Sequence, residues 1–256
     1  MIGIIPAAGA GHRIQPLGCS KELLPVGSRL VAGVERPKAV AEYLVERMIA
    51  AGVEQICMVI SADKTDLIRY FAERSYAAEI FYVLQQKPQG LCDALFRAQP
   101  FALHHERVLI GLPDTIWFPE NGYRSALTLL DGSSDVGLLL FPVTNPSAFD
   151  AVVADDHGYV QEIEVKRPQH RSHWIWGAVT STGEAFQNLQ LLWESRHRQD
   201  QYLGDLLNAY IAAGNIVRST YAGEVYMDVG TLDGYHETLN FLRERRPVSH
   251  EDVEAA

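Results

Sequence analysis

Four runs of apolar residues punctuate the first half of the chain: IGIIP at 2–6, QICMVI at 55–60, EIFYVL at 79–84 and RVLIGL at 107–112. None alternates with polar residues, so each is predicted to be a strand buried on both faces. Helical patterns lie between them. KAVAEYLVERMIAAG places Val40, Leu44, Met48 and Ala51 on one face and stops at Gly52, and DKTDLIRYFAER and GLCDALFRAQ also read as helices. Strand and helix in alternation define an α/β fold, a mostly parallel sheet with helical crossovers. An apolar content of 47% is ample for a full core at 256 residues.

From VGLLLFPV, residues 136–143, the pattern changes. DAVVADDHGYVQEIEV reads as two strands joined at Asp156-His157-Gly158, an antiparallel hairpin. WIWGAV is a further strand, GEAFQNLQLLWESRH and YLGDLLNAYIAAG are helices, and the β segment VRSTYAGEVYMDVG precedes a last helix, TLDGYHETLNFLRER. These later segments are expected to form a lobe laid against the sheet.

Charge and cysteine usage narrow the setting. A net charge of -10 argues against a nucleic-acid-binding surface, although a few local cations and backbone N–H groups can still hold a phosphate. Cys19, Cys57 and Cys92 are odd in number and lack metal-ligand spacing, which points to a reducing, cytoplasmic location. No stretch is long enough to span a membrane, and the first apolar run reads as a strand rather than a leader. His104, His105, His170 and His173 form no convincing metal constellation and are read as solvated surface.

The first strand runs into IIPAAGAGHRIQPLGCSKELLPVG, residues 4–27. A dinucleotide fingerprint would need a third glycine near Ile14 and a helix directly behind it, and a Walker A loop would need Gly-Lys-Ser/Thr; neither is present. What remains is Gly9-x-Gly11-x-Arg13 with Lys21 before ELLPV. Glycines let successive N–H groups turn toward phosphate oxygens, while Arg13 adds a fork-shaped cation and Lys21 a mobile point charge. On its own the loop is equally well a tight turn with two solvated cations.

GAGHRIQP and KELLPV, in that order, resemble the signature of the sugar-1-phosphate nucleotidyltransferases: a Gly-x-Gly-x-Arg loop, then Pro, then Lys-x-Leu-Leu-Pro. The resemblance runs nearly end to end. It implies a Rossmann-like α/β fold, a mixed and mostly parallel sheet flanked by helices, with a small antiparallel sugar-binding lobe. The implied organisation is one domain over 1–246. It has a nucleotide-binding core at about 1–135, a sugar-phosphate lobe at about 136–226, and a metal aspartate with a closing helix at 227–246; a frayed tail follows at 247–256.

Four further segments carry the resemblance. QQKPQGLCDAL, residues 85–95, matches the base-facing segment, which makes Gln85 the base reader and Gly90 the point of close backbone approach; a helix entered after Pro88 is the plainer alternative. VLIGLPD ends on Asp114, where the family holds a metal, and YMDVGTLDGYHET matches its Asp-x-Gly-Thr segment, so that Asp228 would be the second carboxylate on Mg²⁺. VQEIEVKRP resembles the strand whose lysine binds the sugar phosphate, a role that falls to Lys166 or to Arg167. WIWGAV would line the sugar pocket through Gly177, with Trp174 or Trp176 against the ring.

The resemblance assigns Ala8, Gly9 and Gly11 to the nucleotide, Arg13 and Lys21 to catalysis, Lys166 and Gly177 to the sugar phosphate, and Asp114 and Asp228 to the metal. The implied reaction is attack of a sugar 1-phosphate oxygen on the α-phosphorus of dTTP or UTP, with glucose 1-phosphate the favoured acceptor and pyrophosphate released. Such a nucleophile is already anionic, so no general base is required. The family also favours a homo-oligomer with neither nucleic acid nor membrane as partner. The chain departs from the family in a shortened Arg13–Lys21 interval, in an insertion, SRLVAGVER, at 28–36, and in His12 where Thr or Ser is common. It carries no C-terminal β-helix repeats, so no acyltransferase half is expected. A related enzyme using another phosphorylated acceptor and a catalytically silent sugar-nucleotide binder are the rival readings. Retention of Arg13, Lys21, Asp114 and Asp228 together argues against the silent binder.

Overall fold

The computed structural model describes residues 1–245; the tail expected at 247–256 lies outside the described residues. The chain begins with β1 (Ile2–Pro6), then β2 (Pro25–Val31) and β3 (Val34–Ala39), α1 (Val40–Ala50), β4 (Gln55–Ile60), α2 (Thr65–Ala72) and β5 (Glu79–Leu84). Next come α3 (Leu91–Arg97), α4 (Gln99–Ala102), β6 (Arg107–Gly111), β7 (Thr115–Phe118), α5 (Gly122–Leu127), β8 (Val136–Pro142), β9 (Asp150–Ala154) and β10 (Val160–Val165). The remainder is β11 (Trp174–Thr182), α6 (Gly183–Ser195), α7 (Leu203–Ala212), β12 (Val217–Thr220), β13 (Val225–Asp228) and α8 (Leu232–Glu244).

A nine-stranded sheet runs β10-β9-β11-β6-β1-β4-β5, with β8 pairing β11 and β12 beside this path. The four apolar runs of the first half pair in parallel, β1 between β4 and β6 with β5 flanking β4, and β12 is a further parallel neighbour of β8. Burial on both faces explains the hydrophobicity of β1, β4 and β6, since one core holds Ile2, Ile4, Cys57 and Ile110 and the opposite core holds Ile5, Ile56, Met58 and Leu109. By contrast β5, at the sheet edge, is only partly buried, against the expectation for EIFYVL. The antiparallel strands expected over 136–226 do not lie against this sheet but continue it, because β11 pairs antiparallel with β6 and with β8. The hairpin read at Asp156–Gly158 is β9–β10.

Two features were not foreseen. The insertion is a β-hairpin, β2–β3, whose Leu30, Val31 and Val34 are exposed near its tip. The strand after Asp114, TIWF, forms a separate two-stranded ribbon with β13. A third small core of Ile14, Leu24, Val26, Ile116, Met227 and Val229 packs this ribbon and the hairpin together. That core sits beneath the loop ends and so holds the chemistry-bearing residues against one another.

Candidate active site

β1 ends at Pro6, and Ala7 N–H still pairs with the Val59 carbonyl, 2.7 Å, before the chain leaves the sheet. Ala7 and Ala8 are buried, while Gly9 and Ala10 are exposed. The loop is closed by Ile14 N–H on the Gly11 carbonyl, 3.0 Å, and by the Gln15 amide on the Ala10 carbonyl, 3.3 Å. Gly11 has φ +68°, and a Cβ there would lie 2.8 Å from Lys21 Cδ. A glycine is needed at this position on both counts, since the lysine stem lies across it.

Lys21 opens a 3-10 turn, Lys21–Leu23. Its entry is clamped by Asp66, which accepts from Ser20 N–H at 2.7 Å and from Ser20 Oγ at 2.6 Å. From there the Lys21 ammonium reaches Asp114 and forms an ion pair with Oδ2. Burial pulls the ammonium pKa down, but Asp114, with Glu22 and Asp228 farther off, more than offsets this and raises it. Lys21 therefore stays charged at neutral pH.

Asp114 follows β6 and Asp228 ends β13; the ribbon register pairs Asp228 with Thr115, and Val229 N–H donates to the Asp114 carbonyl at 2.8 Å. Two carboxylates distant in sequence are brought side by side by the backbone pairing of the ribbon. Asp228 Oδ1 accepts from Gly230 N–H, 2.8 Å, and its Oδ2 pairs with Arg13 Nη1, 3.0 Å. Three of the charged groups converge on Gly230, where a Cβ would stand 2.8 Å from Asp228 Oδ1, 2.9 Å from Asp114 Oδ2 and 3.2 Å from Arg13 Nη2, and Lys21 joins them through Asp114 Oδ2. Gly230→Ala is expected to force the carboxylates apart and weaken divalent-metal binding about tenfold or more, as displaced supporting groups do; calorimetric titration of Mg²⁺ checks it.

This cradle fits a hard divalent cation. Among the described residues no group of three or more His, Cys, Asp or Glu is placed to hold a metal. Two carboxylates are nonetheless the usual protein share for Mg²⁺ that is also bound by substrate phosphates.

The other expected residues fall in two places. Gln85, at the end of β5, is 3% exposed, and its amide N–H₂ donates to Asp93 Oδ2 at 2.7 Å and to the Gly90 carbonyl at 3.3 Å. Asp93 in turn accepts from Arg97, 2.9 Å. Gly90 has φ +93°, and the side a Cβ would occupy is filled by Gln201 backbone at 2.9 Å. On the far strands Gly177 leaves room for Tyr226, whose ring carbon would be 2.6 Å from a Cβ. Burial pushes the Tyr226 phenol pKa up, with Asp228, Asp114 and Asp150 adding to it. Lys166, at φ +44°, lays its ammonium over the Tyr202 ring, 4.2 Å from the centroid, whereas Arg167 is committed to Glu162.

The His170 side chain is buried rather than solvated, 3.9 Å from Glu164, with neither ring nitrogen hydrogen-bonded. Cys92 is fully buried, in keeping with packing. Sequence reasoning passed over Tyr226, Asp93 and the Glu22–Lys64 pair, although Glu22 stood in plain view inside KELLPV.

The family model described as nucleotidyl transferase matches residues 2–245. The chain belongs to this family. This nucleotidyltransferase is 26% identical over 248 residues to the glucose-1-phosphate thymidylyltransferase of Mycolicibacterium smegmatis, spanning 95% of this chain and 82% of that protein. It is 27% identical to the Xanthomonas campestris protein of the same name, over 94% and 80% of the two chains. The solved UDP-glucose pyrophosphorylase of Acinetobacter baumannii superposes with a TM-score of 0.77 at 20% identity, covering 99% of this chain and 96% of that one. The fold expected from the residues is the fold of these proteins. Among the described residues no helix is long and apolar enough to cross a membrane.

Proposed function

We propose that this nucleotidyltransferase transfers a nucleotidyl group from dTTP or UTP to a sugar 1-phosphate, glucose 1-phosphate favoured, to give an NDP-sugar and pyrophosphate. The observation that carries the reading is the meeting of Asp114, Asp228 and Arg13 at Gly230, with Lys21 paired to Asp114, beside a loop with exposed backbone. The thymidylyltransferase and UDP-glucose pyrophosphorylase names of its relatives support both the acceptor and the choice of pyrimidine.

In this mechanism Ala8, Gly9 and Gly11 present backbone to the triphosphate, and Arg13 grips its terminal phosphates. Lys21 stands at the α-phosphate and neutralises the charge that develops during transfer. Lys166, free of any ion pair among the described residues, steers the acceptor phosphate, with Gly177 and Tyr226 shaping the space between. Gln85 faces the base through the amide oxygen that Asp93 leaves available. Asp114 and Asp228 would hold Mg²⁺, which when bound lowers the cost of bringing two polyanions together. Without substrate the two cations rest on the two carboxylates; substrate binding replaces those partners with phosphates. Orientation and charge do the chemistry, since the acceptor phosphate is already a nucleophile. A cytoplasmic, homo-oligomeric enzyme acting on small molecules fits this reading.

The test is pyrophosphate release by purified protein with Mg²⁺ and glucose 1-phosphate, offering dTTP, UTP, CTP, ATP and GTP separately. Release with dTTP or UTP, dependent on both acceptor and metal, is expected. Release with purine nucleotides only would remove the pyrimidine assignment, and none with any acceptor would remove the enzyme.

A further inference from the structure

The phosphate loop and the Lys21 turn are separate segments, and one buried ion pair joins them. Lys64, immediately before α2, is 7% exposed and Glu22 1%. The Lys64 ammonium donates to both Glu22 carboxylate oxygens, at 2.7 and 2.8 Å, and to the Ala7 carbonyl oxygen at 2.6 Å. An ammonium has three N–H donors, so these three acceptors saturate it. Ala7 is the residue from which the phosphate loop departs; Glu22 is the immediate neighbour of Lys21. The two consecutive side chains point opposite ways, Glu22 inward to Lys64 and Lys21 outward across Gly11 to Asp114.

We propose that Glu22 and Lys64 are positioning residues, a buried brace that fixes Lys21 in distance and direction against the phosphate loop. Stability alone is a poor explanation for such a pair. Two buried charges lose their hydration, and an apolar pair of similar volume is often as stable or more so. An apolar pair cannot tie the Ala7 carbonyl to the residue beside Lys21. The segment from 64 to 66 also clamps the turn a second time, because Asp66 holds Ser20 just ahead of Lys21. The brace is directional: a carbonyl oxygen accepts from an ammonium but repels a carboxylate, so exchanging the two charges cannot rebuild it.

This inference rests on the role proposed for Lys21, so wild-type turnover is measured first. Glu22→Gln and Lys64→Met each strand a buried charge and are expected to lower both Tm and turnover. The double variant removes both charges. It is expected to regain most of the Tm while kcat stays about tenfold or more below wild type and KM for the nucleotide changes little, as misplacement of a catalytic group requires. Wild-type kcat in the folded double variant overturns the brace. Glu22→Asp is the second probe, because it keeps the charge and shortens the arm by one methylene; it should fold and lose turnover, and unchanged kcat again overturns the proposal. A wild type inactive with every nucleotide and acceptor overturns the Lys21 reading and this inference with it, a failure distinct from an active wild type matched by an equally active double variant.

Discussion

Lys21→Ala is expected to lower kcat about 100-fold or more, the usual loss when one preorganised electrostatic stabiliser is removed. The reason is local. No other ion pair to Asp114 is found among the described residues, and the lysine stem lies across Gly11, where the absence of a Cβ gives it room. The same substitution frees Asp114 from its only ion-pair partner among the described residues. The Mg²⁺ concentration for half-maximal residual turnover should therefore fall or stay level while kcat collapses. A steady-state titration of both substrate and metal reads the two effects together. Turnover near wild type in a folded Lys21→Ala protein would remove this residue from the chemistry.

Gly234→Ala is expected to be almost as damaging, from a position without charge. Gly234 is in the first turn of α8, where its N–H is capped by Thr231 Oγ1 at 3.1 Å. A Cβ there would stand 1.9 Å from the Asp228 backbone oxygen. That neighbour is main chain and cannot rotate aside. Either the helix start or the end of β13 must move, and Asp228 moves with the strand. Overpacking of this kind costs about 1–3 kcal/mol of stability. A shift near 1 Å in a catalytic group can cost about 100-fold in rate. Urea unfolding and turnover on one preparation measure both, and an unaltered kcat would show that Asp228 tolerates displacement.

Much of this could be read from the residues because burial writes itself into local pattern. The strands at Ile2–Pro6, Gln55–Ile60 and Arg107–Gly111 are apolar throughout since each has a core on both faces. TIWF was passed over because Pro113-Asp114 interrupts the pattern ahead of it and its partner strand comes from the far end of the chain. The hairpin at Pro25–Ala39 carried no signal for a comparable reason: much of its length is exposed, and few of its residues meet a core. The four charges around Gly230 were legible through resemblance, their partners were not. Nothing in SADKTD marks Lys64 as buried, because its burial is decided by Glu22 and Ala7, which approach only after the sheet has formed. The Gln85 amide was expected to face a ligand, and how firmly Asp93 holds it depended on a helix turn that spacing alone does not place.

The ribbon of β7 and β13 has a consequence for synthesis. Asp228 meets Thr115 only after more than a hundred intervening residues have been made, and closing a loop of that length costs about 4 kcal/mol in chain entropy. A nascent chain on the ribosome holds Arg13, Lys21 and Asp114 long before it holds their counterpart. Until residue 228 has emerged and the ribbon has zipped, Asp114 lacks the second carboxylate of the proposed metal site. If Asp228 holds the metal as proposed, a protein cut anywhere before the ribbon closes is expected to be silent.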